Sequence, residues 1–95
     1  MRRRGRPRCP RRIGMHPHTT LFKPAGTPSY TLEFVELSLD ELETLRLVDL
    51  LGMEQEEAAR QMGITRKSLW IDLKRARKKV AEALTQGKGI RIQCE

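Results

Sequence analysis

One short stretch constrains this chain more than any other: Ala59-x-x-x-Gly63-Ile64-Thr65-x-x-x-Leu69. Two helices that cross steeply at close range need a small residue where they touch, and Ala59 supplies it. The chain between them must turn sharply, and Gly63 tolerates the positive φ that such a turn demands. Ile64 plugs the turn, Thr65 caps the next helix, and Leu69 returns to the core one turn later. The spacing predicts a helix-turn-helix over about residues 53–84, with its second helix beginning at Arg66.

The flanking residues extend this unit. Ser38-Leu39-Asp40-Glu41 reads as a capping box, and Leu42, Leu45, Leu47, Val48 and Leu51 continue it as an apolar helical stripe that Gly52 ends. A second helix runs from about Glu54 to Met62, with Ala58, Ala59 and Met62 inward. A third runs from about Arg66 to Gln86, with Leu69, Leu73, Ala76, Val80, Ala83 and Leu84 as its core face. Residues 31–37 and Ile90–Gln93 are strand-like and short, and could pair with each other at the edge of the helical body. With only 4% aromatic residues the core must be aliphatic, which favours a helical bundle over a sandwich. The expected fold is therefore mainly α: a three-helix, helix-turn-helix domain over residues 31–95. A short two-stranded β element accompanies it, and residues 1–30 form an irregular basic arm. All five prolines lie in that arm, where they preclude a helix. Leu21, Phe22 and Tyr30 could anchor its later half.

Charge is distributed in blocks. Residues 1–30 carry eight basic and no acidic side chains, residues 31–63 two basic and nine acidic, and residues 64–95 nine basic and three acidic. A polyanion gripped by the two ends, with the acidic middle turned away, fits this layout. Basic tails that only confer solubility fit it too. The third helix sharpens the choice. Off its core face lie Arg66, Lys67, Ser68, Trp70, Ile71, Asp72, Lys74, Arg75, Arg77, Lys78 and Lys79. Thr65, Arg66, Lys67, Trp70, Ile71 and Lys74 lie where the first turns of a recognition helix meet base edges or flanking phosphates. Arg75, Arg77 and Lys78 suit backbone phosphates. Trp70 serves either as a DNA contact or as a seat against the N-terminal segment or a second copy. The acidic patch from Asp49 through Glu57 either repels the polyanion from the wrong face or complements the basic arm.

Within the arm, Arg2, Arg3, Arg4, Arg6 and Arg8 surround Gly5 and Pro7, and Arg-Gly-Arg-Pro resembles an AT-hook, a minor-groove reader. A non-specific phosphate-binding tail explains the same residues. Cys9, His16, His18 and Cys94 match no common zinc spacing, so no metal or cofactor is expected. Both histidines lie in the irregular segment, and neither a phosphate loop nor a nucleophile elbow is present, which argues against an enzyme. No apolar run approaches the ~20 residues that span a bilayer. No membrane association is expected, and the chain is read as cytoplasmic with reduced thiols.

Two stretches then point to known families. Gln55-Glu56-Glu57-Ala58-Ala59-Arg60-Gln61-Met62-Gly63-Ile64-Thr65-Arg66 and Leu73-Lys74-Arg75-Ala76-Arg77-Lys78-Lys79 resemble region 4 of sigma-70-type factors. More fully, the chain resembles the DUF134 (UPF0251) family of bacteria and archaea. The matching stretches are Arg6-Pro7-Arg8, Arg11-Arg12-Ile13, Phe22-Lys23-Pro24-Ala25-Gly26, Asp40–Leu47, Ala76–Leu84 and Gly87–Ile92. The resemblance implies a winged-helix-like or sigma-region-4-like DNA-binding domain with a role in transcription. Trp70, Ile71 and Asp72 depart from the sigma pattern, so no base preference carries over.

The leading expectation is a sequence-specific regulator binding double-stranded DNA. One short helix rarely gives enough affinity alone, so a homodimer on symmetric half-sites is expected. The alternatives are an interaction module docking on RNA polymerase or another regulator through its acidic first two helices, and a non-specific nucleic-acid binder relying on the arm.

Overall fold

A computed structural model describes residues 12–15, 17 and 19–93. In chain order its elements are strand β1 (Leu21–Phe22), a 3₁₀ turn (Ser29–Thr31), strand β2 (Phe34–Ser38) and helix α1 (Leu39–Thr44), which continues with π-helical winding through Leu45–Leu50. Helices α2 (Gln55–Met62) and α3 (Arg66–Gln86) and strand β3 (Gly89–Gln93) follow. The fold is mainly helical with a small sheet, as the sequence suggests.

The capping box at Ser38 is complete. The Glu41 amide donates to Ser38 Oγ at 3.2 Å and the Ser38 amide donates to Glu41 Oε1 at 3.0 Å. Halfway along, the winding widens, and the Leu51 amide donates to the Arg46 carbonyl five residues back at 2.9 Å. The wider turn changes which residues share a face. Leu47 stays buried, while Leu51, expected on the core stripe, is 53% exposed. Helix α2 ends in a Schellman turn: the Ile64 amide donates to the Ala59 carbonyl and the Gly63 amide to the Arg60 carbonyl, with Gly63 at φ 70°. Thr65 Oγ1 then accepts from the Ser68 amide at 3.0 Å and starts α3.

Two apolar clusters hold the helices and the sheet. Leu47, Ala58, Ala59, Met62 and Leu69 form the first, with Ile13, Val48, Met53 and Ile64 packed on it. Leu37, Ala76 and Ile92 form the second, with Leu39, Leu42, Leu45 and Ile90 around it. Leu73 is fully buried. Leu84, expected inward, is 77% exposed. Ala83 takes the inward position there, and the next residue is turned about 100° away around the helix.

The sheet differs from the expected two-stranded element. Residues 34–38 and 89–93 do pair, but in parallel, with Val35 opposite Ile90 and Leu37 opposite Ile92. A parallel pair needs a long crossover, and here the whole helical body from α1 to α3 is that crossover. A third strand, β1, lies antiparallel on the other side of β3, with Leu21 opposite Arg91. It comes from the segment read as irregular. Its two residues are both exposed, as is Tyr30 at 90%, so backbone pairing rather than burial of side chains ties this stretch down. On the outer face of the sheet Arg91 pairs with Glu36 at 2.8 Å and sits 4.2 Å over the Phe34 ring.

Candidate nucleic-acid interface

Helix α3 has an inner arc and an outer arc. Leu69, Leu73, Ala76 and Ala83 occupy the inner one, and so does Asp72, which the sequence placed outside and which is only 5% exposed. Arg66, Lys67, Trp70, Ile71, Lys74, Arg75, Arg77 and Lys78 all lie on the outer arc and are exposed. At 3.6 residues per turn they span about half the circumference. With Asp72 turned inward, the first four turns present cations, one indole and one isoleucine to solvent, with no carboxylate among them.

The outer arc has two zones. In the first turns, Arg66, Lys67 and Trp70 line an open groove of about 510 Å³ together with Gln55 from the first residue of α2. Lys74 Nζ sits 5.8 Å from the centre of the Trp70 ring, a cation–π contact that joins the next turn to this wall. Trp70 (41% exposed) and Ile71 (43%) offer apolar surface between the cations. Thr65, at the mouth of the turn, spends its hydroxyl on the cap, accepting from the Ser68 amide and donating to Ser68 Oγ at 3.1 Å. Arg66, Lys67, Lys74 and Lys78 have no ion-pair partner among the described residues.

Further along, every cation but Lys78 is engaged within the molecule. Arg77 donates to both carboxylate oxygens of Asp49 at 2.7 and 3.2 Å. The hydrogen bond from Arg77, outweighing burial, holds the Asp49 carboxyl below its ordinary value. Arg75 stands 3.9 Å from Asp72, a loose contact. Lys79, which the sequence placed on the open face, is half-buried and donates to Glu41 Oε1 at 2.8 Å and to the Glu36 carbonyl at 2.7 Å. On α2, Glu56 and Glu57 are exposed on the side away from the buried Ala58, Ala59 and Met62.

Two residues escaped the sequence reading of the site. Gln55 carries no signal of its own, being polar at a helix start. Arg12 was visible only as one more arginine. Its amide donates to the Met62 carbonyl at 3.1 Å and its Nη2 to the Arg60 carbonyl at 3.4 Å, which lays the guanidinium across Gly63. A defined cation thus lies at the turn just before α3. Arg2, Arg3, Arg4, Arg6 and Arg8 lie outside the described residues, as do Cys9, His16, His18 and Cys94. Among the described residues no cluster of three metal-ligating side chains occurs and no helix is long and apolar enough to cross a membrane.

A small sheet bridged by a helix-turn-helix, with a cationic outer arc on its last helix, defines the class of molecule. The chain belongs to the family described as "Protein of unknown function DUF134", whose model matches residues 1–94. It is 56% identical over 90 residues to a UPF0251 protein of Methanosarcina acetivorans, covering 95% of this chain and 80% of the relative. It is 58% identical over 90 residues to a UPF0251 protein of Methanococcus maripaludis, covering 95% and 69%. A UPF0251 protein of Methanosarcina mazei is 53% identical over 85 residues, covering 90% of this chain and half of the relative. No solved structure matches the chain.

Proposed function

We propose that this protein is a sequence-specific DNA-binding transcriptional regulator that inserts the start of α3 into the major groove. The observation that carries the reading is the outer arc of α3. Arg66, Lys67 and Lys74 stand there without ion-pair partners among the described residues, and the one acid of these turns, Asp72, is buried on the opposite side. Arg66 or Lys67 can donate to guanine O6 and N7, and Ile71 can touch a thymine methyl. Trp70 forms one wall of the groove next to Gln55, where a sugar–phosphate strand can pass. Lys78 and Arg75 contact phosphates further along, and the arginines of residues 2–8 add a second, backbone or minor-groove contact. The protein acts as a homodimer on symmetric half-sites in the cytoplasm, and it carries out no catalysis.

Selection of bound duplexes from a random pool tests this reading. It should yield a discrete motif, repeated with dyad symmetry. The double substitution Arg66→Ala, Lys67→Ala should flatten that motif while leaving the melting temperature close to that of the parent.

A second reading has one specific observation behind it. Leu50 and Leu51 are 74% and 53% exposed at the end of the first helix, next to the acidic residues Asp49 and Glu54. An apolar pair with an acidic border suits a protein partner such as RNA polymerase, and recovery of polymerase without any DNA footprint would favour it.

A further inference from the structure

The chain enters the helical body through Arg12, Ile13 and Gly14, and each is held separately. The Arg12 amide donates to the Met62 carbonyl, and Ile13 packs on the first apolar cluster. The Gly14 amide donates to Glu43 Oε2 at 2.9 Å. Glu43 is only 2% exposed, and Arg46 grips it with two hydrogen bonds, from Nε at 2.8 Å and from Nη2 at 2.9 Å. Gly14 lies so close to this pair that a Cβ there would stand 2.8 Å from Arg46 Nη2 and 3.3 Å from Glu43 Oε2. Burial by itself would raise the Glu43 carboxyl. The hydrogen bonds from Arg46 and the Gly14 amide, with the Arg46 charge, outweigh it and hold the group below its ordinary value. An apolar residue could fill this buried position without desolvating a charge. What the carboxylate adds is an acceptor aimed at the incoming chain.

We propose that Glu43, Arg46 and Gly14 form a latch that fixes where the basic N-terminal segment leaves the domain, beside the turn into α3. The proposal rests on the DNA-binding reading and deepens it by making Glu43 the residue that positions the segment. The latch acts by shortening a tether. With it closed, Arg8 is about four residues from a fixed point, Arg12, so its Cα lies within about 14 Å of that of Arg12. With the whole root released, the next fixed point along the described chain is Thr20, whose carbonyl accepts from the Ile92 amide at 2.9 Å. The tether then triples. Effective concentration falls roughly as the −3/2 power of tether length, so the contribution of the segment drops about five-fold.

The test uses the full chain and a mixed-sequence DNA duplex. Gly14→Leu, whose side chain must displace either the incoming chain or the Arg46 guanidinium that grips Glu43, should weaken binding by up to about five-fold, the limit reached when Arg12 and Ile13 let go together with Gly14. Glu43→Ala, which removes the acceptor, should do the same while the protein remains helical by circular dichroism. In a background with Arg2, Arg3, Arg4, Arg6 and Arg8 all changed to Gln, Gly14→Leu should cost nothing further. Wild-type affinity for Gly14→Leu, or an equal loss in both backgrounds, overturns the latch. A spin label on Cys9, with Cys94→Ser, separates this from the DNA reading. Cys9 is within about 11 Å of Arg12 along the chain, so the label should broaden the amide signals of Gly63–Lys67, and Gly14→Leu should relieve that broadening. If the parent binds no duplex, the DNA reading fails and the label decides the latch: relief supports it, unchanged broadening refutes it.

Discussion

Gly63 stands at φ 70° with the Arg12 guanidinium across it, so Gly63→Ala meets both a disfavoured backbone and a neighbour that must move. The left-handed conformation costs a non-glycine residue about 1–2 kcal/mol, which in a domain this small lowers the melting temperature by about 5–15 °C. A thermal melt checks it, and an unchanged melting temperature would contradict the turn geometry. Glu43 makes a pH prediction. Its carboxyl is held below the ordinary glutamate value of about 4.3. The folded state therefore prefers the ionised form more than the unfolded chain does. That stabilisation is fully present above the unfolded value and is lost as pH falls through the lowered folded one. Stability measured by urea titration should be level from neutrality to about pH 5.5 and decline below it, and Glu43→Gln should make the decline shallower. The turn glycine, the Thr65 cap and the Ser38 capping box could all be read from the sequence because their partners lie within five residues. Glu43 could not, because the Gly14 amide that it accepts from lies 29 positions away.

At the scale of elements, α3 is defined by its ends and by one inner arc. Thr65→Ala removes the acceptor for the Ser68 amide and should cost about 1 kcal/mol. Leu73→Ala, at a fully buried site, should cost about 2–5 kcal/mol. Leu84→Gln, on a side chain that is mostly exposed, should stay within about 0.5 kcal/mol. Denaturant midpoints for the three variants would test whether the arc is assigned correctly, and a large loss at Leu84 would show that it is not. Helix boundaries were legible because the 3.6-residue period and the glycines at 52, 63 and 87 are local signals. Strand partnership was not. The parallel pairing of β2 with β3 is made by residues 55 positions apart, and β1 is two residues long, too short to leave a pattern. The π-helical winding after Thr44 was equally hidden, and it is what turned Leu51 outward.

Across the whole molecule, part of the acidic middle of the chain serves as an internal counterweight. From that middle Asp49 holds Arg77, Glu41 holds Lys79, Glu33 holds Lys88 and Glu36 holds Arg91, while Glu82 of α3 also holds Lys88. Among the described residues, the cations of α3 left without an ion pair are Arg66, Lys67, Lys74 and Lys78. Block charge could be counted in the sequence, but which charges cancel could not, because every one of these pairs except Glu82–Lys88 joins residues at least 28 positions apart. Binding to duplex DNA should therefore be steeply salt-dependent, and Lys74→Ala should lower the slope of log affinity against log salt by about one. Arg77→Ala should change that slope less, since its guanidinium is already committed to Asp49. The most direct measurement of whether α3 reads sequence is in-vitro selection of duplexes by the purified protein, repeated with the Arg66→Ala, Lys67→Ala variant. A discrete, dyad-related motif that the variant loses is the predicted result. A motif unchanged in the variant, or no enrichment by the parent protein, would contradict it.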